Sequence, residues 1–309
     1  MTNVLFAAGD KNWDSYQTPL KQAFSAANLD IDLRQDHDPA ETDYIIYAPS
    51  SDLQDFSPFR RCKAVLSLWA GVEKIVTNQT LAQPLCRMVD PGLTQGMIEW
   101  VTGHTLRYHL GIDDNLASQN GEWKPKAAPL ARERRVTILG LGQLGQACAK
   151  MLAGIGFQVT GWSRRQKDIE GIICLSGDAG LKTALKTADI LILLLPNTAE
   201  TENTLNAETI NHLPKGARLI NPGRGTLIED AALLSALDTG QIAHATLDVF
   251  RVEPLPQDHP YWAHTKVTVT PHIAAETRAI TASEVIAENI RRGEIGLPFL
   301  NLVDRGAGY

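Results

Sequence analysis

The run Arg135-Val136-Thr137-Ile138-Leu139 leads straight into Gly140-Leu141-Gly142-Gln143-Leu144-Gly145, and this G-x-G-x-x-G after an apolar segment restricts the fold more than any other feature of the chain. Gly140 suits a tight strand-to-helix turn, Gly142 lets the backbone approach a pyrophosphate, and Gly145 allows the next helix to pack closely. The amino end of that helix, at Gln143 and Leu144, offers unpaired N–H groups to phosphates. Three glycines at fixed places arise by chance about 0.1 times in ~300 positions, so the flanking pattern must carry the inference. Ala147, Met151, Leu152 and Ile155 form an apolar helical stripe, Gly156 closes it, and the segment from Phe157 to Trp162 reads as the next strand. The predicted unit is the βαβ start of a dinucleotide-binding fold.

The end of that second strand selects the cofactor, because an acidic residue there holds an NAD ribose whereas a nearby Arg accepts the 2′-phosphate of NADP. Here Ser163, Arg164 and Arg165 stand in line. No carboxylate opposes a phosphate, and two guanidiniums are placed to pair with one. NADPH is therefore the predicted cofactor. The plainer alternative is that one or both arginines only solvate a loop. Asp168 lies too far along to serve the ribose.

A chain of 309 residues with 44% hydrophobic content suggests two globular domains. Its 29 Lys plus Arg against 35 Asp plus Glu, a formal charge of -6, argues against a broad nucleic-acid surface. The longest aliphatic run, Ile190 to Leu195, is too short for a bilayer, and Met1 to Ala8 reads as a first strand rather than a signal peptide. A cytoplasmic protein with no membrane partner is expected. Cys62, Cys86, Cys148 and Cys174 show no C-x-x-C or Cys/His ligand spacing, so no metal is expected and the thiols read as free and buried.

Val4–Ala8, Tyr44–Ala48 and Ala64–Leu68 resemble strands of a separate α/β domain. Thr94 to His109 reads as a helix capped by Thr94, with Met97, Ile98, Val101, Leu106 and Leu110 suited to a buried face. Asp113 to Arg135 reads as an extended surface connection. Ile190–Leu195, Arg218–Asn221, Thr246–Val249 and Val267–Thr270 are predicted parallel strands, with a helix over Glu229–Leu237. Open α/β sheets bind ligands outside the carboxyl ends of their strands. Polar groups gather at three such ends: Arg224 in Asn221-Pro222-Gly223-Arg224-Gly225, Asp248 and Glu253 in the segment Leu247–Pro254, and His272 in Thr270-Pro271-His272. A cation, a carboxylate and an imidazole on successive loops can orient an acid, bind developing charge and move a proton. Singly, Arg224 could brace a turn, Glu253 could be solvated and His272 could satisfy a carbonyl.

Taken together these motifs resemble the D-2-hydroxyacid dehydrogenase family, more closely its glyoxylate/hydroxypyruvate reductase A branch. Trp69-Ala70-Gly71-Val72, the glycine fingerprint, Trp162-Ser163-Arg164, Leu194-Leu195-Pro196-Asn197-Thr198, Gly223-Arg224-Gly225, Leu247-Asp248-Val249-Phe250, Glu253-Pro254-Leu255-Pro256 and Thr270-Pro271-His272 carry the resemblance over nearly the whole chain. It implies an α/β architecture: a Rossmann-type doubly wound parallel sheet over residues 97–278, and a second, discontinuous flavodoxin-like α/β substrate domain made of 1–96 and 279–309. The segment from Ala274 to Gly293 would be the returning helix. The implied reaction is NADPH-dependent reduction of small 2-oxo acids, glyoxylate to glycolate and hydroxypyruvate to D-glycerate. Arg224 would bind the oxo acid, His272 would donate the proton, and Glu253 would orient and charge that His. Backbone amides around Ala70 and Gly71 would receive the substrate carboxylate, and Pro196, Asn197 and Thr198 would contact the middle of the cofactor. Asp248 would lie near the nicotinamide amide, support the Arg224 loop or cap a helix. Relatives form homodimers through the nucleotide domain, so Trp123-Lys124-Pro125 either reaches a partner or anchors its own loop.

Two departures from the family pattern stand out. Trp69 occupies a commonly small position, either bounding a pocket for a short acid or pointing into the amino-terminal core, and Pro222-Gly223 replaces an aliphatic-Ala pair. The alternative functions are an NADH-dependent D-2-hydroxyacid dehydrogenase of another substrate, which the Ser-Arg-Arg run opposes, and a dinucleotide-sensing corepressor-like protein, for which the chain carries no low-complexity extension.

Overall fold

Every residue of Ile190-Leu191-Ile192-Leu193 is apolar, and such a strand is fully buried only when both faces of its sheet are covered. The computed structural model, which describes residues 1–306, divides into two units, the first comprising Met1–Leu93 and the chain from Glu276 onward, the second Thr94–Ala275. In the first, β1 (Thr2–Ala7), α1 (Asp10–Ala26), β2 (Ile31–Arg34), β3 (Tyr44–Tyr47), β4 (Ala64–Ser67) and β5 (Leu85–Cys86) build a parallel sheet in the flavodoxin-like order β2-β1-β3-β4-β5. The division falls within α2 (Pro91–Leu110), which is followed by α3 (Ile112–Ala117). The second unit continues with β6 (Arg135–Leu139), α4 (Gln143–Ile155), β7 (Gln158–Ser163), β8 (Ile173–Ser176), α5 (Gly177–Lys186), β9 (Ile190–Leu193), α6 (Ala207–Ile210), β10 (Ala217–Asn221), α7 (Asp230–Thr239), β11 (Ile242–Leu247) and β12 (Val267–Val269). Its seven parallel strands run β12-β11-β10-β9-β6-β7-β8, doubly wound with the reversal of order between β6 and β9. The last helix, α8 (Ala279–Glu294), belongs to the first unit.

Alternation along the strands assigns the cores. Leu191 and Leu193 pack with Leu185 of α5 and Leu233 and Leu237 of α7, while Ile190 and Ile192 pack on the other face with Val101 of α2 and Leu152 of α4. In the first unit, Val4, Phe6, Tyr44 and Ile46 meet α1 and α8, whereas Leu5, Ile45, Tyr47 and Val65 are covered by loop residues Phe56, Val72 and Ile75. No helix among the described residues is long and apolar enough to cross a membrane.

Several boundaries differ from the sequence reading for local reasons. The helix expected at Thr94 starts at Pro91, because Asp90 Oδ1 accepts the Leu93 N–H (3.0 Å) and Pro fits the first helical position. The carboxyl-terminal helix begins at Ala279 rather than Ala274, since 274–278 still belong to the loop after His272. The stretch Asp113–Arg135 is not wholly extended: it contains most of α3 and a short 3-10 turn at Ala131–Glu133. The strand expected at Thr246–Val249 runs over Ile242–Leu247. Burial pushes the Cys62, Cys86 and Cys148 thiols up to about 12, but Cys174 is only half-buried.

On β11, His244 Nδ1 lies 2.9 Å from the Tyr108 hydroxyl, which is itself 2.6 Å from Thr246 Oγ1. Burial, and then the neighbouring Arg107 charge, lower His244 from the ordinary 6.5 to about 4. Between these values the unfolded chain binds a proton that the folded chain refuses, so stability falls as pH drops through this window. His244→Gln should flatten that decline in urea midpoints measured from pH 6.5 down to pH 4; an unchanged slope would remove His244 as its source.

Candidate active site

At the end of β10, fully buried Asn221 folds the next turn around its own side chain. Its Oδ1 accepts from Gly223 N (3.1 Å) and its Nδ2 donates to the Arg224 carbonyl (3.0 Å). A Cβ on Gly223 would stand 2.8 Å from the Leu193 carbonyl, so the close approach of β9 accounts for Gly at this departure from the family pattern. Arg224 is half-buried, and its Nη1 donates to the Gly223 carbonyl at 2.7 Å.

At the end of β11, Asp248 is completely buried and its carboxylate is filled by neighbours. Oδ1 accepts from Thr270 Oγ1 (2.6 Å) and Ile273 N (2.9 Å), and Oδ2 accepts from Ala274 N (2.9 Å). The Asp248 carbonyl also accepts from His272 N at 2.9 Å. This clamp holds His272 at φ 54°, a left-handed conformation that non-glycine residues occupy rarely. Of the alternatives for Asp248, bracing is therefore directed at the His272 turn; it caps no helix. A single backbone bond, Asp248 N to Asn221 O (3.0 Å), couples this turn to that of Arg224.

Glu253 and His272 are in direct contact. Glu253 Oε1 accepts from Phe250 N, and Oε2 lies against His272 Nδ1, both at 2.8 Å. A carboxylate can only accept, so Nδ1 carries a proton and Nε2 is the nitrogen left for chemistry. Arg251, within the same segment, is committed to the Ile228 carbonyl (2.7 Å) and Glu202 (3.3 Å), and so anchors the loop.

The fingerprint residues bear the expected constraints. Gly140 has φ +107°, and a Cβ there would collide with the Leu194 carbonyl, while one on Gly145 would collide with the carbonyl of Gly140. Nothing lies within 4 Å of a Cβ built on Gly142, and no side chain caps the first turn of α4. The uncapped first turn of α4 thus begins at exposed Gly142 and Gln143, which fits a pyrophosphate. Ser163 Oγ donates to the Arg165 carbonyl (2.8 Å), closing a turn on which Arg164 and Arg165 are both exposed. In the loop after β9, Pro196 O and Thr198 N bond to Thr201 Oγ1 (2.6 and 2.9 Å), and Asn197 Oδ1 accepts from Thr226 Oγ1 (2.9 Å).

In the first unit, Trp69 is 39% exposed and belongs to neither core cluster, so the reading of a core indole is overturned; the Lys74 ammonium stands 6.0 Å from its ring centroid. The amides of Ala70 and Gly71 donate to no group among the described residues. Asn221 and Thr270 were not singled out in the sequence, although a polar residue ending an otherwise apolar strand is a usable signal for both. Among the described residues, no group of three or more His, Cys, Asp or Glu side chains is disposed to hold a metal.

A parallel sheet with a glycine-bounded helix terminus and a hydrogen-bonded His–Glu pair at its carboxyl edge defines a dinucleotide-dependent oxidoreductase site. Residues 104–274 match the family model described as D-isomer specific 2-hydroxyacid dehydrogenase, NAD binding domain. Glyoxylate/hydroxypyruvate reductase A of Serratia proteamaculans is 38% identical, over 99% of this chain and all of that protein. A D-isomer specific 2-hydroxyacid dehydrogenase from Xanthobacter autotrophicus Py2, solved with NADPH and MES, is similar with a TM-score of 0.90 and 40% identity, covering 100% of this chain and 99% of that one. An NADPH-dependent glyoxylate/hydroxypyruvate reductase from Sinorhizobium meliloti, solved with NADP and sulfate, has a TM-score of 0.88 and 33% identity over the full length of both chains. The chain belongs to the D-isomer specific 2-hydroxyacid dehydrogenase family.

Asp248→Asn replaces an acceptor by an amide N–H where buried donors already point. It should lower unfolding free energy by about 2 kcal/mol or more and depress kcat with it. An unchanged denaturant midpoint would show that the clamp does not hold the turn.

Proposed function

We propose that this chain is a cytoplasmic, NADPH-dependent reductase of small 2-oxo acids, converting glyoxylate to glycolate and hydroxypyruvate to D-glycerate. The observation that carries the reading is the 2.8 Å pair between His272 Nδ1 and Glu253 Oε2 in a turn clamped by Asp248. The names and bound cofactors of the relatives support the substrate class and NADPH. When bound, NADPH supplies a hydride to C2 of the acid. Arg224 holds the acid and stabilises the negative charge growing on its carbonyl oxygen. His272 delivers the proton to that oxygen from Nε2, while Glu253 fixes the ring through Nδ1 and balances the imidazolium charge. Gly140, Gly142, Gln143, Leu144 and Gly145 bind the pyrophosphate, Pro196 and Thr198 line the cofactor's middle portion, and Asp248 serves its nicotinamide end through the turn it shapes. Ser163, Arg164 and Arg165 take the 2′-phosphate. Trp69 limits the acid's size, and the Ala70 and Gly71 amides receive its carboxylate.

Cofactor absorbance with purified protein tests this directly. NADPH should be consumed with glyoxylate and hydroxypyruvate and more slowly with pyruvate; turnover with NADH alone would refute the cofactor assignment. His272→Ala should lower kcat by about 10²- to 10⁴-fold with NADPH affinity retained, and a variant with wild-type turnover would remove His272 as the acid. Arg224→Ala should lose both affinity and rate.

The assembly we propose is a homodimer through the second unit. Leu116 and Trp123, at 62% and 94% exposure, project from the segment between α2 and β6, an apolar cost that a second copy offsets. Light scattering should give twice the 33.7 kDa chain mass, and Trp123→Asp with Leu116→Asp should shift it to the monomer. A wild-type monomer would overturn this assembly.

A further inference from the structure

Arg87 directly follows β5, and among the described residues its side chain has no hydrogen bond, ion pair or ring contact. Arg34 is engaged with Asp32, Arg61 with Asp43, and Arg305 with the carbonyls of Val76 and Asn78, while Arg60 and Arg278 are exposed to solvent where Arg87 is half-buried. Burial draws the Arg87 guanidinium below the ordinary arginine value, and among the described residues no carboxylate offsets it. A partly desolvated charge without a partner is costly, and replacing it with an apolar group generally stabilises a fold. A cation kept under those conditions is explained by an anion that arrives from outside.

The strand register locates it. Cys86 pairs with Leu66, and Met88 N donates to the Trp69 carbonyl at 3.0 Å, so Arg87 lies beside the bend that ends β4. On its other side, Arg87 N donates to Asn301 O (3.0 Å) and Val303 N to Leu85 O (2.9 Å). Leu85 packs with Val72, Ile75 and Val303, whereas Cys86 packs on the opposite face. Alternation therefore places Arg87 on the face covered by the turn from Val72 to Ile75. That turn is entered through Ala70 and Gly71, whose N–H groups also find no acceptor among the described residues. One edge of the sheet thus carries a planar cation and two amide donors, all without an anion of their own among the described residues.

We propose that Arg87 and the Ala70 and Gly71 amides form a carboxylate subsite, in which Arg87 is the specificity-determining contact for the acid group of the substrate. The proposal rests on the 2-oxo acid reading above and adds a side chain to it. A guanidinium meets a carboxylate with two parallel hydrogen bonds, which fixes its direction as well as its charge.

Arg87→Met and Arg87→Lys test it, with two readouts. In steady-state assays with saturating NADPH, R87M should raise the glyoxylate KM about 10- to 100-fold while changing kcat far less, and R87K should recover part of the loss. In thermal melts, oxamate, a non-reducible 2-oxo acid isostere, should raise the melting temperature of the wild-type protein but not of R87M. Unliganded R87M should melt no lower than wild type, whereas a purely structural arginine would leave a less stable protein. Retention of the oxamate shift by R87M, or no shift in the wild type, overturns the subsite. An R87M protein that melts lower with unchanged KM does the same. Absence of wild-type turnover strikes the reductase reading instead, because the oxamate shift is still measured.

Discussion

The buried carboxylate of Asp248 is the constraint on which the reactive edge of the second unit depends. A charge fully removed from water survives only when hydrogen bonds replace its hydration. Here the donors come from the chain just beyond β12, so solvating Asp248 and shaping the His272 turn are one event. The left-handed backbone at His272 follows from it, and so does the contact between its ring and Glu253. Asn221 does the neutral equivalent for Arg224, and the backbone bond between the two turns makes them one polar framework at the sheet edge.

In the proposed function, binding chemistry and proton chemistry are separated by the kind of group each uses. For the dinucleotide, the second unit offers mostly backbone at a helix terminus whose glycines remove steric barriers. The cation pair at Arg164 and Arg165 adds charge where the second strand ends, exposed and close in sequence to Ser163. Proton transfer, as proposed, falls to side chains whose partners are fixed by hydrogen bonds. On that proposal, cofactor preference rests on a few exposed residues that are separate in sequence from the hydrogen-bonded His272 turn.

What was legible in the sequence was local or stereochemically absolute. Gly140 and Gly145 are required by collisions that any larger residue would make, so their spacing announces the turn. The all-apolar β9 likewise reveals a strand covered on both faces. The helix start at Pro91 is masked in the sequence because Gly92 and Gly96 dilute its periodicity, although Asp90-Pro91 is a recognisable capping pair. A two-residue strand such as β5 has no periodicity at all, and it exists only because β4 and the 301–303 segment flank it. The exposure of Trp69 and the isolation of Arg87 depend on partners distant in sequence, or on their absence, which composition does not record. The order of motifs brings Glu253 and His272 forward together; the 2.8 Å contact between them is not in the spacing.

The discontinuity of the first unit also imposes an order on synthesis. Ala282, Ile286 and Ile290 of α8 cover the same sheet face as α1, yet they leave the ribosome after every strand they protect. All strands of the second unit precede them. During vectorial synthesis the nucleotide-binding unit can close its core while β1, β3 and β4 still await part of their cover. The early strands are therefore the stretch of nascent chain that stays longest with apolar surface open to chaperones.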